Sequence, residues 1–176
     1  MPRINLNPRN KKTEKFYNSH NYSNPNAVEN LASYILNPDK TPSNYTKHFG
    51  VLEASPECIQ CNFAAIASIH NKDMKGRRKA EHFVISAHGK SEVQEIGGIK
   101  GFHEGIIQYC EHLTLNHQLV FAIHGNTNNL HAHIILNPIN FNNGKRLQKN
   151  RKFLEDEKEL VRSIFSDIKN KHVPKN

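Results

Sequence analysis

The chain has 176 residues, 36% of them hydrophobic, which suits one domain with one core. A net charge of +8, from 24 Lys and Arg against 16 Asp and Glu, points to a polyanionic partner. Three cysteines, an odd number, argue against a disulfide framework, and neither a membrane-length apolar run nor a signal-peptide core is present, so a cytoplasmic protein with no membrane partner is expected.

Residues 1–24 are polar, rich in Asn, Lys and Pro, and read as a flexible basic arm carrying Arg9, Lys11 and Lys12. The globular domain is expected over 25–170, followed by a short tail, 171–176. From Pro25 the pattern is helical, with Val28, Leu31, Ala32 and Ile35 on one stripe, Tyr34 beside it, and Asn37-Pro38 as the stop. Ser55-Pro56 reads as an N-cap followed by Pro at the first helical position, opening a helix with Ile59, Phe63, Ile66 and Ala67 inward. Cys58 and Cys61 form a C-x-x-C on that helix with no second pair, which favours ordinary helix packing over zinc or redox chemistry.

The basic loop Lys75-Gly-Arg77-Arg78-Lys79 leads into a strand, Glu81–Ala87, that sets His82, Val84 and Ser86 on one face and Phe83, Ile85 and Ala87 on the other. A helix over about Gly101 to Leu115, with Phe102, Ile106, Tyr109 and Leu113 inward, precedes two more strands. Asn142-Asn143-Gly144 signals a turn that can pair Ile139–Phe141 with Lys145–Gln148. A last amphipathic helix, about Asn150 to Lys169, presents Phe153, Leu160, Val161, Ile164 and Ile168.

The most informative segment runs from Leu119 to Asn137. Leu119-Val-Phe-Ala-Ile-His124 alternates, a Gly/Asn-rich connection follows, and Leu130-His131-Ala-His133-Ile-Ile-Leu136 resumes the strand pattern. Alternation places His131 and His133 on one face, and a hairpin brings His124 to the same end of the sheet. Three imidazoles then converge with open coordination positions, the geometry of a metal site. Leu119, Phe121, Ile123, Ile134 and Leu136 oppose them. The expected fold is therefore α+β: an antiparallel β-sheet with helices packed mainly on one face and the metal site on the other. His82 and Ser86 fall on the histidine face, where a functional role and a simple hydrogen-bonded pair are both open.

Grouped cations suit phosphate contacts: Arg77, Arg78 and Lys79 in the loop, and Lys145, Arg146, Lys149, Arg151 and Lys152 beyond the hairpin. Together with the histidines and Tyr34 they give the chain its resemblance to the relaxase/mobilisation nuclease family of HUH endonucleases, the DNA-nicking enzymes of conjugative and mobilisable elements. Tyr34-Ile-Leu-Asn-Pro-Asp-Lys-Thr41 resembles the family's first motif, whose tyrosine is the nucleophile; His82-Phe-Val-Ile-Ser86 resembles the second, whose serine lies near the DNA; His124 to Asn137 resembles the third, with His131-Ala-His133 as its H-hydrophobic-H signature.

The resemblance implies a bacterial enzyme that nicks and rejoins single-stranded DNA at an origin of transfer through a covalent 5′-phosphotyrosine, aided by relaxosome accessory proteins and a type IV coupling protein. It implies Tyr34 and His124 as catalytic, and His124, His131 and His133 as ligands of a divalent ion, Mn2+ or Mg2+, with Zn2+ or Ni2+ usable in vitro. Lys40, Arg77, Arg78, Lys79, Ser86, Lys145 and Arg146 would contact DNA, with Asn126, Asn128, Asn129 and His82 around the ligands. The loop after the first histidine departs from the family, offering Asn126 and Asn128 where carboxylates are common and keeping Asn129 in register. The family's usual long C-terminal extension has no counterpart, so helicase or transport functions are expected elsewhere.

A phenol is protonated at neutral pH, so Tyr34 needs a proton acceptor or a stabilised phenolate to attack phosphorus. Tyr17, Tyr22 and Tyr45 lie in polar stretches and are poorer nucleophiles; Tyr109 sits on a core stripe. The related replication initiators and transposases place their tyrosine after the histidine pair, and no tyrosine follows Tyr109 here. A three-histidine enzyme acting on a small molecule, such as a cupin-like oxygenase or a hydrolase, would not need the basic loops. A non-catalytic DNA-binding accessory protein would not need converging histidines.

Overall fold

The computed structural model describes residues 1–5, 22–41, 45–125 and 129–172. In chain order the elements are β1 (Arg3–Asn5), α1 (Ala27–Ile35), β2 (Thr46–Phe49), α2 (Pro56–Ile69), β3 (Glu81–Ala87), α3 (Gly89–Glu95), α4 (Gly98–Thr114), β4 (Leu119–His124), β5 (Leu130–Leu136) and α5 (Arg151–His172). The strands form one antiparallel sheet in the order β1-β3-β5-β4-β2. The expected α+β class and antiparallel sheet are both found.

The hairpin β4–β5 and the β3–β5 pairing fix which side chains share a face. His124 pairs with His131, Ala122 with His133, Val84 with His133 and Ser86 with His131. Directly paired residues point the same way, so His82, His124, His131, His133 and Ser86 lie together, as alternation requires. On the other face Phe83, Ile85, Phe121, Ile123, Ala132, Ile134 and Leu136 join a core with α4 and α5. Gly105 of α4 packs closely on α5: an added Cβ there would stand 2.6 Å from the Phe165 ring.

The histidine face is less open than a one-sided sheet would leave it. Val120, Ala122 and Ile135 also lie on it, and they bury against α1 and α2 in a second cluster with Val28, Leu31, Ala32, Ile35, Ile59 and Phe63. These strand residues are apolar on both faces, so both faces need cover. That requirement puts α1, and with it Tyr34, beside the histidines.

Three elements were not legible beforehand. The N-terminal arm is tied down at its start, where Arg3–Asn5 pairs with β3 and Ile4 enters the core. Three residues with one apolar side chain are too short to show alternation. β2 is polar in sequence and pairs at the other sheet edge, and α3 buries no residue of its own, so it has no apolar stripe. Elsewhere the start signals hold: the Ser55 hydroxyl accepts from the Cys58 N–H with Pro56 in the first turn. Gly144 turns at φ 67°, but Ile139 and Arg146 form a single bridge instead of a ribbon. Cys58 and Cys61 are free thiols on α2. Among the described residues no helix is long and apolar enough to cross a membrane.

Candidate metal centre and nucleic-acid site

His124 ends β4, and His131 and His133 alternate with Ala132 on β5. Their ring centroids are 4.5 to 5.1 Å apart, and one ligand nitrogen from each can be chosen so that all lie within 4.8 Å of one another. Among the described residues this is the group that could hold a metal ion.

The outer contacts select those nitrogens. His124 Nε2 donates to the Ile35 carbonyl at 2.9 Å, leaving the Nδ1 lone pair. His131 Nδ1 faces the Asn129 carbonyl at 3.4 Å, leaving Nε2. His133 Nδ1 meets His82 Nε2 at 2.9 Å, and His133 Nε2 is buried without a hydrogen-bond partner. A buried, unpaired ring nitrogen is costly unless something binds it, and a metal ion fits that need. Burial also keeps the rings neutral, as ligation requires: it holds His124 and His131 below the ordinary histidine range and His133 well below it. His82 is lowered to about 3, by burial first and then by the Lys149 charge.

Tyr34 stands at this site. Its ring centroid is 5.4 Å from that of His133 and 6.0 Å from that of His124, and Lys40 Nζ lies 4.4 Å from the Tyr34 centroid. Two sequence features bring this about. The stripe of α1 docks on Val120, Ala122 and Ile135, and the stop at Asn37-Pro38 leaves the Ile35 carbonyl outside the helical ladder. That carbonyl accepts from both His124 and the Thr41 hydroxyl.

The other expected site residues divide into those near the centre and those engaged elsewhere. Ser86 is half-buried opposite His131. Asn129 faces His131 through its carbonyl, while its side-chain Oδ1 accepts from the Gly89 N–H. Asn126 and Asn128 lie outside the described residues, as do Arg9, Lys11, Lys12 and Tyr17. Arg77 and Lys145 are exposed.

Arg78, Lys79 and Arg146 are bound into the fold. Arg78 pairs with buried Glu81 at 2.7 Å, and Lys149 pairs with the same carboxylate. Arg146 donates to the Arg78 carbonyl, and Lys79 Nζ donates to the Ser23 and Asn24 carbonyls. A run of cations in sequence does not show which of them a buried carboxylate will claim.

Tyr22 is buried beside His82, a place that its polar stretch of sequence does not suggest. It is 9% exposed, and its hydroxyl lies 3.0 Å from His82 Nδ1. Its polar neighbours hid it, and only its spacing just ahead of α1 could have raised it.

No curated protein and no solved structure matches the chain significantly. A family model does: that of the MobA/VirD2-like relaxase nuclease domain matches residues 34–170, from Tyr34 through all three histidines into α5. Over most of its length, then, and with a three-histidine group on its sheet, the chain belongs to the relaxase family of DNA-nicking enzymes.

Proposed function

We propose that the protein is a metal-dependent tyrosine transesterase that nicks and rejoins one DNA strand at an origin of transfer and so starts conjugative transfer or mobilisation of its element. The observation that carries this reading is the packing of Tyr34 against His124 and His133, the only tyrosine ring within the described residues that contacts two of the three histidines. His124 Nδ1, His131 Nε2 and His133 Nε2 would hold the ion, Mn2+ or Mg2+, with Zn2+ or Ni2+ substituting in vitro. When bound, the ion supplies Lewis-acid stabilisation of phosphodiester oxygens.

The chain's own residues do the rest. The Tyr34 oxygen attacks phosphorus and forms the O–P bond, the P–O3′ bond breaks, and the departing strand leaves as a 3′-hydroxyl while the 5′-phosphate stays on Tyr34. The phenol proton is lost as the ester forms, and one proton is taken up by the leaving oxygen. Lys40 adds positive charge beside the ring, where negative charge gathers on the phosphoryl group. The phosphotyrosine conserves the energy of the broken bond, so the 3′-hydroxyl can attack it and reseal the strand.

For single-stranded DNA the phosphate contacts are Lys40 and Ser86 beside the histidines, and Arg77 and Lys145, whose side chains are exposed. Arg78, Lys79 and Arg146, held by partners within the fold, contribute their positive charge to the attraction of the strand. The reaction belongs in the bacterial cytoplasm, with relaxosome accessory proteins and a type IV coupling protein as partners. A small-molecule three-histidine enzyme has no use for the nuclease family's motifs.

The test is Tyr34→Phe, with Mn2+ and an origin-sequence oligonucleotide. The wild type should give a covalent protein-DNA species by denaturing gel and intact mass, mapped to Tyr34. Tyr34→Phe should bind metal and DNA yet form none. An adduct that persists in Tyr34→Phe would assign the attack to another group.

A further inference from the structure

Lys40 is placed at the candidate metal centre by its backbone. Its carbonyl accepts at 3.3 Å from the N–H of Gly125, the residue after His124, and its own N–H donates to the Asn37 carbonyl at 3.0 Å. Its Nζ stands 4.4 Å from the centroid of the Tyr34 ring, the ring that packs on His124 and His133. Burial is the largest cause that holds His124, His131 and His133 below the ordinary histidine range, and the Lys40 charge lowers all three further.

Among the described residues no carboxylate offsets that charge. The three-histidine group contains no Asp or Glu, and no ion pair is formed by Lys40. Asp39, its neighbour in sequence, is exposed. The two nearby stretches that lie outside the described residues, 42–44 and 126–128, contain no acidic residue in sequence.

We propose that the centre takes up its ion together with a phosphate of the DNA strand, Lys40 opposing the ion in the DNA-free protein and the phosphodiester supplying the negative charge that reconciles the two cations. The proposal rests on the reading of His124, His131 and His133 as metal ligands.

Imidazoles ligate as neutral groups, so a divalent ion keeps its full charge among them. Like charges repel most where water is excluded, and His124 and His133 are buried. The ion and the Lys40 ammonium therefore disfavour one another. A phosphodiester is an anion that attracts both. The ion then raises the affinity of the site for phosphate, and phosphate raises its affinity for the ion by the same factor. The free protein thus holds its ion weakly, and the Lewis acid is complete only where a strand lies against Tyr34. Were Lys40 a phosphate contact alone, its removal would leave ion binding in the DNA-free protein unchanged.

Lys40→Gln removes the charge and keeps a polar side chain. In phosphate-free buffer, with the fold checked by thermal melting, Mn2+ affinity measured by paramagnetic resonance titration should rise by about threefold to thirtyfold in Lys40→Gln. Lys40→Arg, which keeps the charge, should stay near the wild type. Adding oligothymidylate to the wild type should raise Mn2+ affinity by about fivefold to a hundredfold, and Mn2+ should raise oligothymidylate affinity by the same factor. His131→Ala gives the background from ions held by the strand alone. Lys40→Gln should bind oligothymidylate more weakly while binding the ion more tightly.

Equal or weaker Mn2+ binding by a folded Lys40→Gln protein would overturn the proposal, as would a wild-type affinity that the strand leaves unchanged. A rise with inorganic phosphate and none with oligothymidylate would overturn it too, by assigning the counter-charge to a free anion. Should Lys40→Gln not fold, the reciprocal rise in the wild type decides. A wild type that binds no divalent ion, with or without the strand, overturns the metal reading itself; one that binds equally in both states overturns only the coupling.

Discussion

His124 donates from Nε2 to the carbonyl of Ile35 across 2.9 Å, and Ile35 directly follows Tyr34. One hydrogen bond thus joins the end of a central strand to the last turn of the helix that carries the tyrosine. It orients one imidazole of the candidate metal centre and anchors the helix at once.

His124 and His131 should therefore respond differently to alanine. His131 is half-buried with a long contact to Asn129, so His131→Ala should weaken Mn2+ binding with little change in stability. His124→Ala should weaken binding and also destabilise the fold by about 1–3 kcal/mol through the lost bond at a buried carbonyl. Calorimetric titration and urea denaturation separate the two effects, and equal stability of the two variants would refute the anchoring role.

The cations should also divide into two groups. Arg77→Ala and Lys145→Ala should each lower the slope of log affinity against log salt for single-stranded DNA by about 0.7 to 1 per phosphate contact, leaving stability unchanged. Arg78→Ala should destabilise the fold, because buried Glu81 loses one of its two partners. Fluorescence anisotropy over a salt series, with thermal melts, checks both. A destabilised Arg77→Ala or an unaffected Arg78→Ala would reverse the division.

Acid should unfold the protein earlier than carboxylate titration alone would. Burial holds His82, His117, His124, His131 and His133 below the ordinary histidine range, whereas in the unfolded chain they titrate near about 6.5. Below that pH the unfolded state binds more protons than the folded one. The stabilisation is therefore complete above about pH 7 and lost progressively as pH falls below about 6.5. Urea midpoints should follow that profile in the metal-free protein; a midpoint constant down to about pH 5 would contradict it.

Packing on the far face gives an independent check. Gly105→Ala would put a methyl group 2.6 Å from the Phe165 ring and 3.0 Å from Ile168. Although alanine is the better helix former, the α4–α5 contact should lose about 1–3 kcal/mol in urea denaturation. A neutral or stabilising effect would mean that Phe165 can swing aside.

The sequence by itself determined the features that local periodicity encodes. Alternation placed His131 and His133 on one face because a strand has a period of two, and the hairpin brought His124 to their level. The stripes of α1, α2, α4 and α5 followed from helical spacing, and the Ser55-Pro56 and Asn37-Pro38 signals set where two of those helices start or stop.

What joins residues far apart in the chain was decided by packing. Val120, Ala122 and Ile135 made the histidine face apolar below the ligands, so α1 and α2 had to cover it, and that docking set Tyr34 against His124 and His133. The motif resemblance anticipated that meeting, but periodicity could not. Burial of Glu81 drew Arg78 and Lys149 inward, and Lys79 was claimed by the carbonyls beside Tyr22. Tyr22 reached His82 across 60 residues of chain for the same reason. A pattern in sequence can say which way a side chain faces; only the packed fold says what it meets there, because burial forces each polar group to find a partner wherever the chain brings one.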